Sequence, residues 1–147
     1  MNDIKGKIRD LILECWKWCH EKIRGHEDEN INILSDLNLL AIFLTEISSE
    51  QKAWLLQSAP YVDERYHSSF FLEYLDKLAD KNPETIADVY LGMLEGTLPT
   101  YDVENIHSIV EKLYKSGFKK KANDICNKYA LERYPDLLRD IHDRYNV

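Results

Sequence analysis

Cys15, Cys19 and His20 stand close enough in the chain to share a metal ion, so they are the first residues to weigh for chemistry. On a helix, two thiols at i and i+4 lie on one face, and His20 adds an imidazole beside them. A structural zinc site takes four ligands and is usually built from turn-spaced cysteine pairs. The chain has three cysteines and no second pair, and His26 is the nearest candidate for a fourth ligand. Cys15 and Cys19 therefore read as small core residues on an apolar stripe, and no metal or cofactor is expected. The five histidines, His20, His26, His67, His107 and His142, are scattered. None forms HExxH, and none follows an arginine at the spacing used by small helical ribonucleases. No serine sits in a GxSxG turn, and no glycine-rich loop is present to cradle phosphate. Acids such as Asp76 and Asp80 read as solvated charges on helix faces. The expectation is a protein with no catalytic residues.

Two other groups remain as candidates for binding. Trp16 and Trp18 lie roughly 200° apart around a helix, so both cannot face one core. One of them belongs at a core edge or at a partner surface, and Trp18 is marked as a candidate partner-binding residue. The second group is basic. Residues 111–128 carry six lysines against two acids, a charge of +4, within a chain of formal net charge −7. The remainder therefore carries −11. Lys119, Lys120 and Lys121 fall at the start of a helix, where cations oppose the helix dipole. They read as a solvated turn, as a contact for an acidic protein face, or as phosphate contacts. No interleaved aromatics and no nucleic-acid motif support the last of these.

The elements that must carry these residues are helices. In 103–134, Ile106, Ile109, Val110, Leu113 and Tyr114 share one helical face. Gly117 follows, where a helix end favours a left-handed residue. A second stripe then runs through Phe118, Ala122, Ile125, Cys126, Tyr129 and Ala130. So short a connection makes the two helices antiparallel. Pro135 interrupts the pattern, and residues 136–145 can form one more short helix.

The rest of the chain repeats this style. A first helix is predicted over 3–25, with Ile4, Ile8, Leu11, Ile12, Cys15, Trp16, Cys19 and Ile23 on one broad apolar face. A second, over 30–47, contains the run Leu37 to Ile47, apolar nearly all round. It is expected to be the buried core helix of the N-terminal half. Ser48 and Gln51 fit a capping box for a third helix, and Pro60 stops it. Residues 61–69 are ambiguous. A fourth helix carries Phe70, Phe71, Tyr74, Leu75, Leu78 and Ala79. Asn82 and Pro83 are expected as N-cap and first residue of a fifth, which ends at Gly96. Asp102 opens the sixth.

With 147 residues and a 44% apolar fraction, the chain is expected to be a single all-α domain, 1–147. It divides into N-terminal helices over 1–66 and helical hairpins over 67–147. The acidic balance argues against binding nucleic acid or anionic membranes through the whole surface. An odd number of cysteines points to reduced thiols and a cytoplasmic setting. No signal pattern and no run of about 18 apolar residues is present.

Sliding residues 75–91 along by 35 overlays residues 110–126. Lys77 meets Lys112, Leu78 meets Leu113, Ala87 meets Ala122, and Ile106-His107 meets Ile141-His142. A period near 35 belongs to helix–turn–helix solenoids. The C-terminal part accordingly resembles tetratricopeptide-type or HEAT-type helical repeats. With Pro135 as the closing proline, Tyr114 and Ala130 take the tetratricopeptide aromatic and second alanine positions. Glu111, Asn123 and Asn127 stand where that pattern has glycine, alanine and an aromatic. The segment from Val110 to Tyr145 also resembles the helical tails of large bacterial multidomain proteins of the phage-defence type. These resemblances imply six to eight antiparallel helices in a short solenoid or irregular bundle. They imply a non-catalytic scaffold or protein-interaction module belonging to a larger bacterial protein or assembly. The rivals are nucleic-acid binding through Lys112–Lys128 and an acidic inhibitor or immunity-type protein.

Overall fold

The structure is a computed structural model that describes residues 2–63 and 67–147. The expected division after residue 66 lies outside the described residues. Among those described the protein is all-helical, with eight α-helices and no strand. They are α1 (Asn2–Ile23), α2 (Ile31–Leu37), α3 (Ser49–Ser58), α4 (Ser68–Ala79), α5 (Pro83–Met93), α6 (Val103–Lys115), α7 (Lys119–Leu131) and α8 (Arg139–Tyr145). Short 3-10 turns follow α1, α2 and α3.

Successive helices alternate between two rows. α1, α3, α5 and α7 pack side by side in one row. α2 with its 3-10 turn, α4, α6 and α8 form the other. The five-residue stripe expected on α6 is wholly buried, and Ala122, Ile125, Cys126 and Tyr129 of α7 meet it. Between these two helices Gly117 takes φ +90°. The amide of Gly117 donates to the Tyr114 carbonyl at 3.1 Å, and that of Phe118 to the Leu113 carbonyl at 3.0 Å. This is the double bond of a Schellman stop, and it turns the chain back on itself.

The helix expected over 30–47 is not continuous. α2 ends at Leu37, a 3-10 turn runs from Asn38 to Phe43, and Leu44 is extended. The buried Asn38 supplies a reason. Its Nδ2 donates to the carbonyls of Leu34 at 3.0 Å and Ser35 at 3.4 Å, and also to Ser58 of α3 at 3.1 Å. A side-chain amide bonding the preceding turn competes with the helical ladder. Nor is the segment buried all round. Leu34, Leu37, Ala41 and Leu44 face the core, while Ile31, Ile33 and Ile42 are exposed.

Other punctuation works as expected, or by another route. Ser48 and Gln51 form the reciprocal capping box that opens α3. Asn82 precedes α5 but makes no side-chain cap. Its Oδ1 accepts from the Ile47 amide at 2.9 Å, and its Nδ2 donates to the Thr45 and Leu78 carbonyls at 2.9 and 3.0 Å. Asn82 thus latches the extended stretch after the 3-10 turn onto the α4–α5 corner. The fifth helix, expected to end at Gly96, stops at Met93, and Gly96 serves a close approach instead. A Cβ there would lie 1.9 Å from the Pro60 carbonyl oxygen, so only glycine allows the backbones after α3 and α5 to approach so closely.

Candidate functional site

The metal-like triplet on α1 is pulled apart by the fold. Trp16 is fully buried and packs on Trp54, ring centroids 5.4 Å apart. Cys15, one position earlier, is exposed, and Cys19 is half-buried. The expectation that Cys15 is a core residue is therefore corrected: it lies on the solvent side of α1, away from Trp16. Burial, then the neighbouring Cys15, pushes the Cys19 thiol up, opposite to the shift a reactive thiolate needs. His20 faces the body instead of the thiols. Its Nδ1 lies 2.8 Å from Gln57 Oε1, and Gln57 Nε2 donates to the His20 carbonyl at 3.1 Å. Among the described residues, no three His, Cys, Asp or Glu side chains group to hold a metal.

Two of the other histidines serve as ties. His107 Nε2 donates to the Leu137 carbonyl, fastening α6 to the approach to α8. His67 Nδ1 meets Ser35 Oγ at 2.8 Å, joining the start of α4 to α2.

The lysine hairpin turns out to be largely neutralised by the chain itself. Lys112 reaches Asp76 on α4 at 2.9 Å and Asp80, just past the end of α4, at 3.0 Å. Partial burial opposes its charge, but those two hydrogen-bonded carboxylates outweigh burial and raise its pKa. Lys121 lies 2.8 Å from Asp88 and 3.3 Å from Glu84 on α5. Asp88 also holds Lys52 of α3 at 2.7 Å. Burial alone would raise the Asp88 carboxyl; the bonds from Lys121 and Lys52 win and hold it below its ordinary value. Lys115 pairs with Glu111, and Lys128 with Glu132. Among the described residues, Lys119 and Lys120 are the two of the six that make no ion pair.

Trp18 is 60% exposed, with the Lys22 ammonium 5.8 Å from its ring centre. It stands on α1, at one end of its row, and Lys119–Lys121 stand on α7, at the other. The four candidate partner-binding residues therefore do not form one patch.

Two surfaces were missed in the sequence. One is the outer face of α1, where Ile4, Ile8, Leu11 and Trp18 are all at least half exposed. Its signal was present as a 4-3-4-3 spacing, but that spacing merged with the inner stripe. The other is an open groove of about 310 Å³ between the 3-10 turn after α2 and α4, lined by Ile42, Thr45, Tyr74 and Lys77 among others. It depends on the break at Asn38, which no periodicity announces.

No helix among the described residues is long and apolar enough to cross a membrane. No family model matches the chain, and no curated protein or solved structure matches it.

Proposed function

We propose that the chain is a non-catalytic protein-interaction module built from helical-hairpin repeats of the tetratricopeptide or HEAT kind, working in the cytoplasm as part of a larger bacterial protein or assembly. One observation carries this reading: ties between neighbouring hairpins recur at a nearly constant distance in sequence. Lys52 bonds Asp88, 36 positions on. Asp76 accepts from Lys112, also 36 on. Glu84 is met by Lys121, 37 on. Glu111 is met by Arg144, 33 on. Three apolar pairs aligned by the 35-residue offset also take matching environments. Leu78 and Leu113, Ala87 and Ala122, and Ile106 and Ile141 are all buried. Units that contact only their neighbours make an extended surface in place of one enclosed pocket, and such surfaces bind other proteins.

The neutralised lysines favour this reading over nucleic-acid binding, because a lysine already bonded to a carboxylate brings less to a phosphate. Affinity capture from the native extract, with and without nuclease and at two salt concentrations, is the test. A partner protein that survives nuclease and moderate salt is expected. Nucleic acid that is recovered at low salt, lost at higher salt, and lost in a Lys119→Glu, Lys120→Glu variant would sink the proposal.

A further inference from the structure

α1 is longer than its contacts with the body require. Its inner face, Leu13, Trp16, His20 and Ile23, packs against α3 and the 3-10 turn after α2. Residues 3–11 are all exposed. A free helical extension of two to three turns is marginal in water, even with good helix formers, and Gly6 weakens this one further. Its apolar side chains are nonetheless arrayed in order. Ile4, Ile8, Leu11, Cys15 and Trp18 follow one another at intervals of four, three, four and three, the a and d spacing of a two-helix seam. At 100° per residue this seam lies about 140° from the inner face, so a helix seated on it would not collide with α1's own packing.

The flanking charges choose the occupant. Beside the seam between Ile4 and Trp18 stand Lys5 and Lys7 toward its start and Glu14 toward its end. None of the three is in a salt bridge among the described residues. In a parallel pair of identical helices, Lys5 and Lys7 would lie beside their own counterparts with no acid opposite. In an antiparallel pair, Lys7 of one copy comes opposite Glu14 of the other. We infer that α1 is a self-association helix, pairing with α1 of a second copy of this chain in a two-fold antiparallel arrangement centred between Ile8 and Leu11. Ile8 of each copy then packs on Leu11 of the other, and Ile4 packs on Cys15. This goes beyond the repeat reading and does not rest on it, since it concerns only α1 and a second copy.

The test uses the full chain in analytical ultracentrifugation, with α1 variants on the exposed seam. The unaltered protein is expected to dimerise at micromolar concentration. Ile8→Glu, Leu11→Glu is expected to be monomeric and folded, with the thermal midpoint that the unaltered protein shows once diluted to monomer, because neither side chain is part of the core. Lys7→Glu is expected to weaken the dimer about tenfold, since both symmetric bridges become repulsions, and Lys7→Glu, Glu14→Lys to restore it. Under mild oxidation, Ile4→Cys is expected to give a covalent dimer joined from residue 4 to Cys15, mapped by mass spectrometry. A chain that stays monomeric at high micromolar concentration overturns the proposal, whether or not its seam takes up another protein. A dimer insensitive to Ile8→Glu, Leu11→Glu overturns it as well, and so does a Cys15-to-Cys15 link in the unaltered protein.

Discussion

Asn38 shows how one polar side chain redirects an apolar run. Three carbonyls converge on its Nδ2, and two of them belong to the helix it terminates. Asn38→Ala should lower unfolding free energy by about 1–3 kcal/mol in a denaturant titration, because the bond to Ser58 that ties α2 to α3 goes with it. Asn38→Asp should be worse at neutral pH, since a carboxylate would face three carbonyl oxygens. Tyr90 and Tyr129 make a second buried polar unit. Their hydroxyls lie 2.7 Å apart, and Tyr129 donates to the Pro99 carbonyl at 2.7 Å. Burial pushes both hydroxyls above their ordinary value, and Tyr129 adds to the shift on Tyr90. The folded state therefore keeps protons that the unfolded chain gives up once pH passes about 10, and stability is full below that pH and falls above it. Tyr90→Phe should cost about 1 kcal/mol at neutral pH and make the alkaline fall shallower by one proton. An alkaline limb of unchanged slope would show that Tyr90 is not held protonated.

Helix ends explain how the two rows are kept in step. α6 stops at Gly117 and α7 stops at Arg133, and the stops share one geometry. The Tyr134 amide donates to the Tyr129 carbonyl at 2.9 Å, as Phe118 does to Leu113. Arg133 adopts φ +77° without being glycine. A left-handed conformation is unfavourable for a residue with a Cβ, by about 1 kcal/mol, and Arg133 is exposed. Arg133→Gly should raise stability by up to about 1 kcal/mol, and Gly117→Ala should lower it by a similar amount. Nothing lies within 4 Å of a Cβ built at Gly117, so any loss there comes from backbone conformation and not from a clash. Urea midpoints of the two variants moving in the same direction would contradict this account.

Taken as a stack of hairpins, the protein should open from its ends. α4 and α5 are covered by neighbours on both sides. α8 packs against α6 and α7 and buries little beyond Ile141. The first turns of α1 are exposed along their length. Units coupled only to neighbours have their lowest stability at the ends of the row. Amide exchange is therefore expected to be slowest in α4 to α6 and fastest in α8 and, at dilutions where the chain is monomeric, in residues 3–11. Uniform protection across all helices would mean one indivisible core. The ion pairs linking rows of hairpins, Lys112 with Asp76 and Lys121 with Asp88, are half-buried, so salt should weaken them less than exposed pairs.

Periodicity alone determined the helices of the C-terminal half, the buried stripe of α6 and the turn at Gly117, while Ala130, expected on the α7 stripe, lies exposed in the last turn of that helix. There the signals agree: a 3.6-residue apolar repeat and a glycine where the chain reverses. The capping box at Ser48 was readable for the same reason, because both partners lie within one turn. Periodicity did not separate the two apolar faces of α1. Both run at helical spacing, and a list of apolar positions does not say which face finds a neighbour. The break at Asn38 and the latch at Asn82 were equally hidden, since each depends on carbonyls brought near by folding. The lysines misled for the complementary reason. Their positive cluster in sequence is real, but the acids that neutralise Lys112 and Lys121 lie more than thirty residues away and arrive only when α4 and α5 pack beside α6 and α7. Local hydrogen bonding and apolar period are written within a few residues of one another, whereas exposure and charge pairing belong to whichever surfaces packing brings together.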